Sequence, residues 1–323
     1  MVKKLEHLNW KPMWTSHLGC IKGCIDYLGL DISDAWLFGG TGHAFIINMH
    51  DEMCPSGPTA WNTKRIFKLG RNLGYEIEGV CGHKSGKDFA ENQKKSWELV
   101  KKSIDEGVPC YGWELDIPEF YVISGYDDKG YHYSGPLAQP AKMPAAWEKV
   151  ADTGIGWLEM YAVKPGKPAD DVKTVKDAFE FAIKHATTRE WLHDKYYSGP
   201  EGFDAWIKAL ETDKTTTEGH GHGIAYNAEV WRECRSQAVD FLAEAKERLA
   251  KPELDALFDE AISHYDVVTR KLGRVENLFP FHTRKPSHIK EAERRKKAIT
   301  ALEAARDAEA KGLEALGKIA KIL

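Results

Sequence analysis

The chain has 323 residues, enough for two domains that each bury a core, and its formal charge of -4 at pH 7 leaves no overall basic footprint for nucleic acid. No apolar run approaches the length needed to span a bilayer, and Met1-Val-Lys-Lys-Leu-Glu-His7 is not followed by the apolar core of a secretory signal, so a cytoplasmic protein is expected. Six cysteines, Cys20, Cys24, Cys54, Cys81, Cys110 and Cys234, lack the paired spacing of a zinc site; they are expected as reduced thiols, with neither metal nor cofactor implied.

The first element is a helix from Ser16 to Gly29, with Thr15 or Ser16 as its N-cap. Phe38-Gly-Gly-Thr-Gly-His-Ala-Phe45 is Gly-rich but lacks the Lys and Ser/Thr that complete a phosphate loop; His43 within it reads either as a ligand-facing side chain or as a satisfied structural histidine. Cys54-Pro-Ser-Gly-Pro-Thr-Ala-Trp61 is a loop stiffened by two prolines, placing Cys54 in a binding loop ahead of a helix over 61–73 capped by Thr59. Val108–Trp113, Phe120–Ser124 and Tyr131–Ser134 read as three strands, the last two joined at the turn Gly125-Tyr-Asp-Asp-Lys-Gly130.

After about Lys164 the pattern changes from mixed elements to helices, expected at 170–187, 201–211, 225–250, 253–273 and 288–321. This predicts an α+β protein with domains at 1–165 and 166–323, the second an all-helical bundle. The last helix has a narrow Ala/Leu/Ile stripe and is expected on the outside of that bundle, where it suits self-association into a homo-oligomer. Glu218-Gly-His-Gly-His-Gly223 reads as a glycine loop, with His220 and His222 as ligand candidates and no third metal ligand assignable.

Two segments together carry a resemblance. Glu119-Phe-Tyr-Val-Ile-Ser-Gly-Tyr-Asp127 resembles the strand of papain-like folds that runs His-aromatic-Val-Val-Val-x-Gly-Tyr-Asp, and Ser16-His-Leu-Gly-Cys-Ile-Lys-Gly-Cys-Ile-Asp-Tyr-Leu-Gly29 resembles their first helix. The relatives implied are bacteriocin-processing cysteine peptidases and the N-terminal domain of butirosin biosynthesis protein H, over roughly residues 10 to 165. The resemblance implies a papain-like α+β domain in which the nucleophile position falls on Ser16, the catalytic histidine position on Glu119, and the acid before a proline on Ser134-Gly135-Pro136. All three differ from the Cys-His-Asp pattern. An alignment slipped by one helical turn places Cys20 at the nucleophile position instead.

The residues leave three readings open. Ser16 or Cys20 with Glu119 is the skeleton of an acyl- or amide-transferring enzyme, although glutamate is an unusual base for a serine and adjacent His17 diverges from Ser16 by about 100° on a helix. A scaffold without the triad is instead a binding protein, its pocket drawn from His17, His43, Trp113, Glu114 and Tyr121 with Trp10 and Trp14, suited to a small ligand with an amine or other cationic part. An interaction protein using its C-terminal helices is the third.

Overall fold

The computed structural model describes residues 2–212, 217–283 and 285–323. In chain order these form β1 (Lys3–Lys4), α1 (Ser16–Tyr27), α2 (Asp34–Gly40), β2 (Asn48–His50), α3 (Lys64–Gly70), β3 (Tyr75–His83) and α4 (Phe89–Asp105). There follow β4 (Cys110–Trp113), β5 (Phe120–Tyr126), β6 (Gly130–Ser134), β7 (Ala145–Ala146) and β8 (Trp157–Pro165). The remainder is α5 (Asp171–Thr187), β9 (Tyr196–Ser198), α6 (Gly199–Glu211), α7 (Glu218–Leu249), α8 (Asp255–Leu278) and α9 (Ala292–Ile322). The class is α+β, an antiparallel sheet combined with a helical C-terminal region.

The chain divides into two units, Met1–Ser33 with Gly74–Pro168, and Asp34–Leu73 with Ala169–Leu323. The sequence reading assigned 34–73 to the first domain, whereas its apolar side chains are buried within the second. Trp36 and Phe45 pack on Phe241 at 5.2 and 6.0 Å between ring centroids, and Phe45 also meets Phe179 and Tyr265. Aromatic burial of this kind outweighs sequence proximity in deciding which core a segment joins.

In the first unit the strands run in the order β3-β8-β4-β5-β6-β7, with β1 on β5. The strands expected at 108–113, 120–124 and 131–134 are β4, β5 and β6. The nine-residue pair β3 and β8 has no clear sequence signal, because β3 contains Gly79 and Gly82 and breaks the alternation that marks a strand. Gly79 is needed there: a Cβ on it would lie 2.1 Å from the Met160 carbonyl oxygen. α1 lays Leu18, Ile21, Cys24 and Ile25 into the core, and α4 buries Trp97, Val100 and Ile104.

The second unit surrounds one buried ion pair. Arg235 on α7 and Glu309 on α9 are both fully buried and meet through two hydrogen bonds of 2.8 Å, while the other guanidinium hydrogens reach the carbonyls of Ala44, Phe45 and Ile46. Every part of the guanidinium fork therefore has an acceptor, which makes its burial tolerable. α9, expected as an outer helix, instead buries Ala301, Leu302, Ala305, Leu316 and Ile319, because its small residues let neighbouring helices close in. α7 also begins earlier than expected and absorbs the predicted glycine loop. Cβ atoms on Gly221 and Gly223 would lie 2.1 Å from the Pro286 oxygen and 2.0 Å from the Met53 oxygen, so these glycines serve close packing rather than a loop. No helix among the described residues is long and apolar enough to cross a membrane.

Candidate functional site

Ser16 is the first residue of α1 and Glu119 the last residue before β5, so helix start and strand start meet in the first unit. Ser16 Oγ donates to Glu119 Oε2 at 2.5 Å and accepts the Phe120 N–H at 3.1 Å. The serine is only 4 % exposed. Thr15, at the N-cap of α1, makes no side-chain cap to the helix, and the Ser16 hydroxyl is directed to Glu119 and the Phe120 N–H.

β4 and β5 pair with Trp113 opposite Phe120 and Tyr111 opposite Val122, which puts Tyr111, Trp113 and Phe120 on one face of the sheet. His17 lies against that face, stacked on Phe120 at 4.0 Å with its Nε2 3.0 Å from the Tyr111 hydroxyl. Burial holds the Tyr111 phenol well above its ordinary range, so it remains protonated. His17 is thus engaged in packing and hydrogen bonding inside the unit. Tyr111 and Phe120 escaped the sequence reading, although their two-residue offsets from Trp113 and Val122 are the signal for a shared face.

The connection from Trp113 to Glu119 is closed by its own backbone: Glu114 N–H donates to the Glu119 carbonyl at 2.8 Å, and Glu119 N–H to that of Ile117 at 2.6 Å. Glu114 has a positive φ of 57°, and its carboxylate accepts the Thr153 hydroxyl at 2.7 Å. Burial pushes its carboxyl above the usual glutamate range. Two half-buried carboxylates, Glu114 and Glu119, therefore flank one short connection beside Trp113.

Two expectations for this site change. Tyr121 alternates onto the sheet face opposite Phe120, where its hydroxyl donates to the Pro136 carbonyl and accepts the Ile117 N–H, both at 3.1 Å; it does not share a wall with Ser16. Cys20 is fully buried, and burial, followed by the neighbouring Cys24 and Glu119, pushes its thiol well above the ordinary range. A thiol in that state fits a core side chain, not an accessible nucleophile. Ser134 Oγ accepts the backbone N–H of Trp10 at 2.8 Å.

The other candidates belong to the second unit. His43 is buried, faces Cys234 Sγ at 3.6 Å from its Nδ1, and is pushed down to about 3 by burial, with the Arg235 charge adding to the effect. Cys54 is half-buried on its proline-flanked loop. His220 Nδ1 lies 2.7 Å from Thr217 Oγ1 on the first turn of α7, and His222 packs near Phe281 at 5.5 Å. Among the described residues, no group of three or more His, Cys, Asp or Glu side chains is arranged to hold a metal ion. No protein-family model matches the chain, and no curated protein sequence matches it.

Proposed function

We propose that the first unit is a papain-like scaffold whose nucleophile position has become a structural clasp, and that the protein binds a small ligand bearing an amine or other cationic group instead of cleaving peptide bonds. The observation that carries this reading is the state of Ser16. Its hydroxyl is enclosed, its proton is directed to Glu119 and its oxygen is engaged by the Phe120 N–H. Attack on a carbonyl requires that hydroxyl to approach substrate, and a carboxylate is a weaker base than the imidazole that papain-like enzymes place opposite a thiol. The half-buried Glu114 and Glu119, on the connection that follows Trp113, supply the negative charge that a cation uses. Glu114 gains most from such a ligand, because a nearby positive charge offsets the burial that raises its carboxyl.

Thermal unfolding of the full chain with a panel of primary and quaternary amines tests the reading. Stabilisation by at least one amine, lost in Glu119→Gln and Glu114→Gln, is the expected result. No shift with any amine, or a shift that persists in both variants, refutes it.

One observation favours a second reading, acyl or amide transfer. The 2.5 Å contact between Ser16 and Glu119 is also the contact that a serine nucleophile and its general base require. Covalent capture by acyl-directed reagents separates the two.

A further inference from the structure

The connection from β4 to β5 carries a further carboxylate, Asp116, which the reading above does not use. Its side chain is only 6 % exposed. Oδ1 accepts the Lys142 ammonium at 2.5 Å, while Oδ2 is buried with no hydrogen-bond partner. Lys142 keeps 48 % of its side chain exposed, so one partner of this ion pair is enclosed and the other is not. An enclosed carboxylate with an unfilled oxygen is costly. Because its two oxygens share one carbon, an ammonium admitted beside Oδ1 needs only a small shift to meet Oδ2 as well.

The two sides of the pair are held differently. Asp116 stands on a braced connection, where Glu114 N–H donates to the Glu119 carbonyl and Ile117 N–H to the Tyr121 hydroxyl. Tyr121 and Tyr133, whose rings meet edge-on at 5.2 Å, lie close enough that the Asp116 charge adds to burial in raising both phenols. Lys142 instead ends the short turn Pro140–Lys142 between β6 and β7. The backbone hydrogen bonds around that turn are local, from Ala138 to Gly135, Lys142 to Gln139 and Met143 to Pro140. Gln139 to Lys142 are exposed, and the Tyr121 hydroxyl anchors the segment at its start by donating to the Pro136 carbonyl at 3.1 Å. A fixed acid thus faces a base carried on a surface turn.

That asymmetry favours exchange. The lysine ammonium has three N–H donors, but its stem restricts the direction from which it approaches the carboxylate. A free primary ammonium brings the same donors without the tether and can sit between the two oxygens, making charge-assisted hydrogen bonds to both.

We propose that Lys142 is an internal ligand: its ammonium occupies, on Asp116, a site for a free primary alkylammonium, and the segment 137–143 is a strap that lifts when such a ligand takes its place. The site uses neither Ser16, Glu114 nor Glu119, so it is independent of the function proposed above.

The test deletes the internal ligand. The atoms removed by Lys142→Ala are those of n-propylamine, and the position is exposed enough for truncation to leave the core intact. Melting of the full chain is followed with n-propylammonium chloride, against equal sodium chloride and tetramethylammonium chloride. Propylammonium is expected to stabilise Lys142→Ala at concentrations about tenfold below those that act on the unaltered chain, where the tethered amine competes. Tetramethylammonium, which has no N–H, is expected to act no more than sodium. The effect is expected to vanish when Asp116→Asn is added, a change that keeps the side-chain shape, and to persist when Glu114→Gln is added instead. In the unaltered chain, amide hydrogen exchange over 137–143 is expected to quicken with propylammonium and not with sodium. No stabilisation of Lys142→Ala, equal stabilisation by tetramethylammonium, survival of the effect with Asp116→Asn, its loss with Glu114→Gln, or unchanged exchange over 137–143 overturns the proposal.

Discussion

Ser16 and Glu119 stand 103 positions apart in sequence and meet at 2.5 Å, tying the start of α1 to the start of β5. As a clasp, this contact contributes to stability. Ser16→Ala removes the donor to Glu119 and leaves the buried Phe120 N–H without its acceptor, so a loss of about 1–3 kcal/mol is expected. Urea unfolding measures it, and an unchanged midpoint would show that the contact holds nothing together.

The buried histidines of the second unit make stability depend on pH. His43 and His185 are both pushed down to about 3, each chiefly by burial; the nearby Arg235 charge adds to both, and for His185 so does His43. Unfolding returns each to about 6.5, so between pH 6.5 and 3 the unfolded chain binds more protons than the folded one. Their contribution is therefore complete above pH 6.5 and falls with acid, at about 1.4 kcal/mol per pH unit for each histidine that titrates only on unfolding. Both His185 ring nitrogens are buried without a hydrogen-bond partner. His185→Phe is thus expected to keep or raise stability at pH 7 and to flatten the acid slope, which urea midpoints from pH 7 to 4 would show.

Glu309→Ala would leave the Arg235 guanidinium buried without its carboxylate, at a cost of about 3–5 kcal/mol. Replacing both partners together, as Arg235→Met with Glu309→Leu, is expected to cost less than the single change. A double-mutant cycle by chemical denaturation reads this difference, and additive losses would contradict the pairing.

Gly221→Ala would ordinarily favour a helix by up to about 1 kcal/mol. Here the new Cβ would meet the Pro286 carbonyl oxygen at 2.1 Å, so a lower melting temperature is expected. A higher one would mean that this close approach is absent.

That glycine also shows what the sequence could and could not disclose. The presence of helices after residue 170 and the strands β4, β5 and β6 follow from local periodicity, although the start of α7 and the end of α8 do not, and both ends of the Ser16–Glu119 contact are singled out through a resemblance. The Gly-His run at 218–223 reads locally as a loop, and only the distant Pro286 and Met53 carbonyls make it helical. Tyr121 adjoins Phe120 in sequence, but strand alternation puts the two on opposite faces of the sheet. Ser56 and Tyr196 stand 140 positions apart, yet their hydroxyls meet at 2.5 Å, a pairing that no local pattern encodes.

On the proposed function, Ser16 holds structure and does not attack substrate. The most direct test is intact-mass and peptide analysis of the native protein after incubation with a fluorophosphonate. Ser16 is expected to remain unmodified, with or without Glu119→Gln; a stoichiometric adduct on Ser16 that disappears in Glu119→Gln would establish a working serine nucleophile and overturn the structural role.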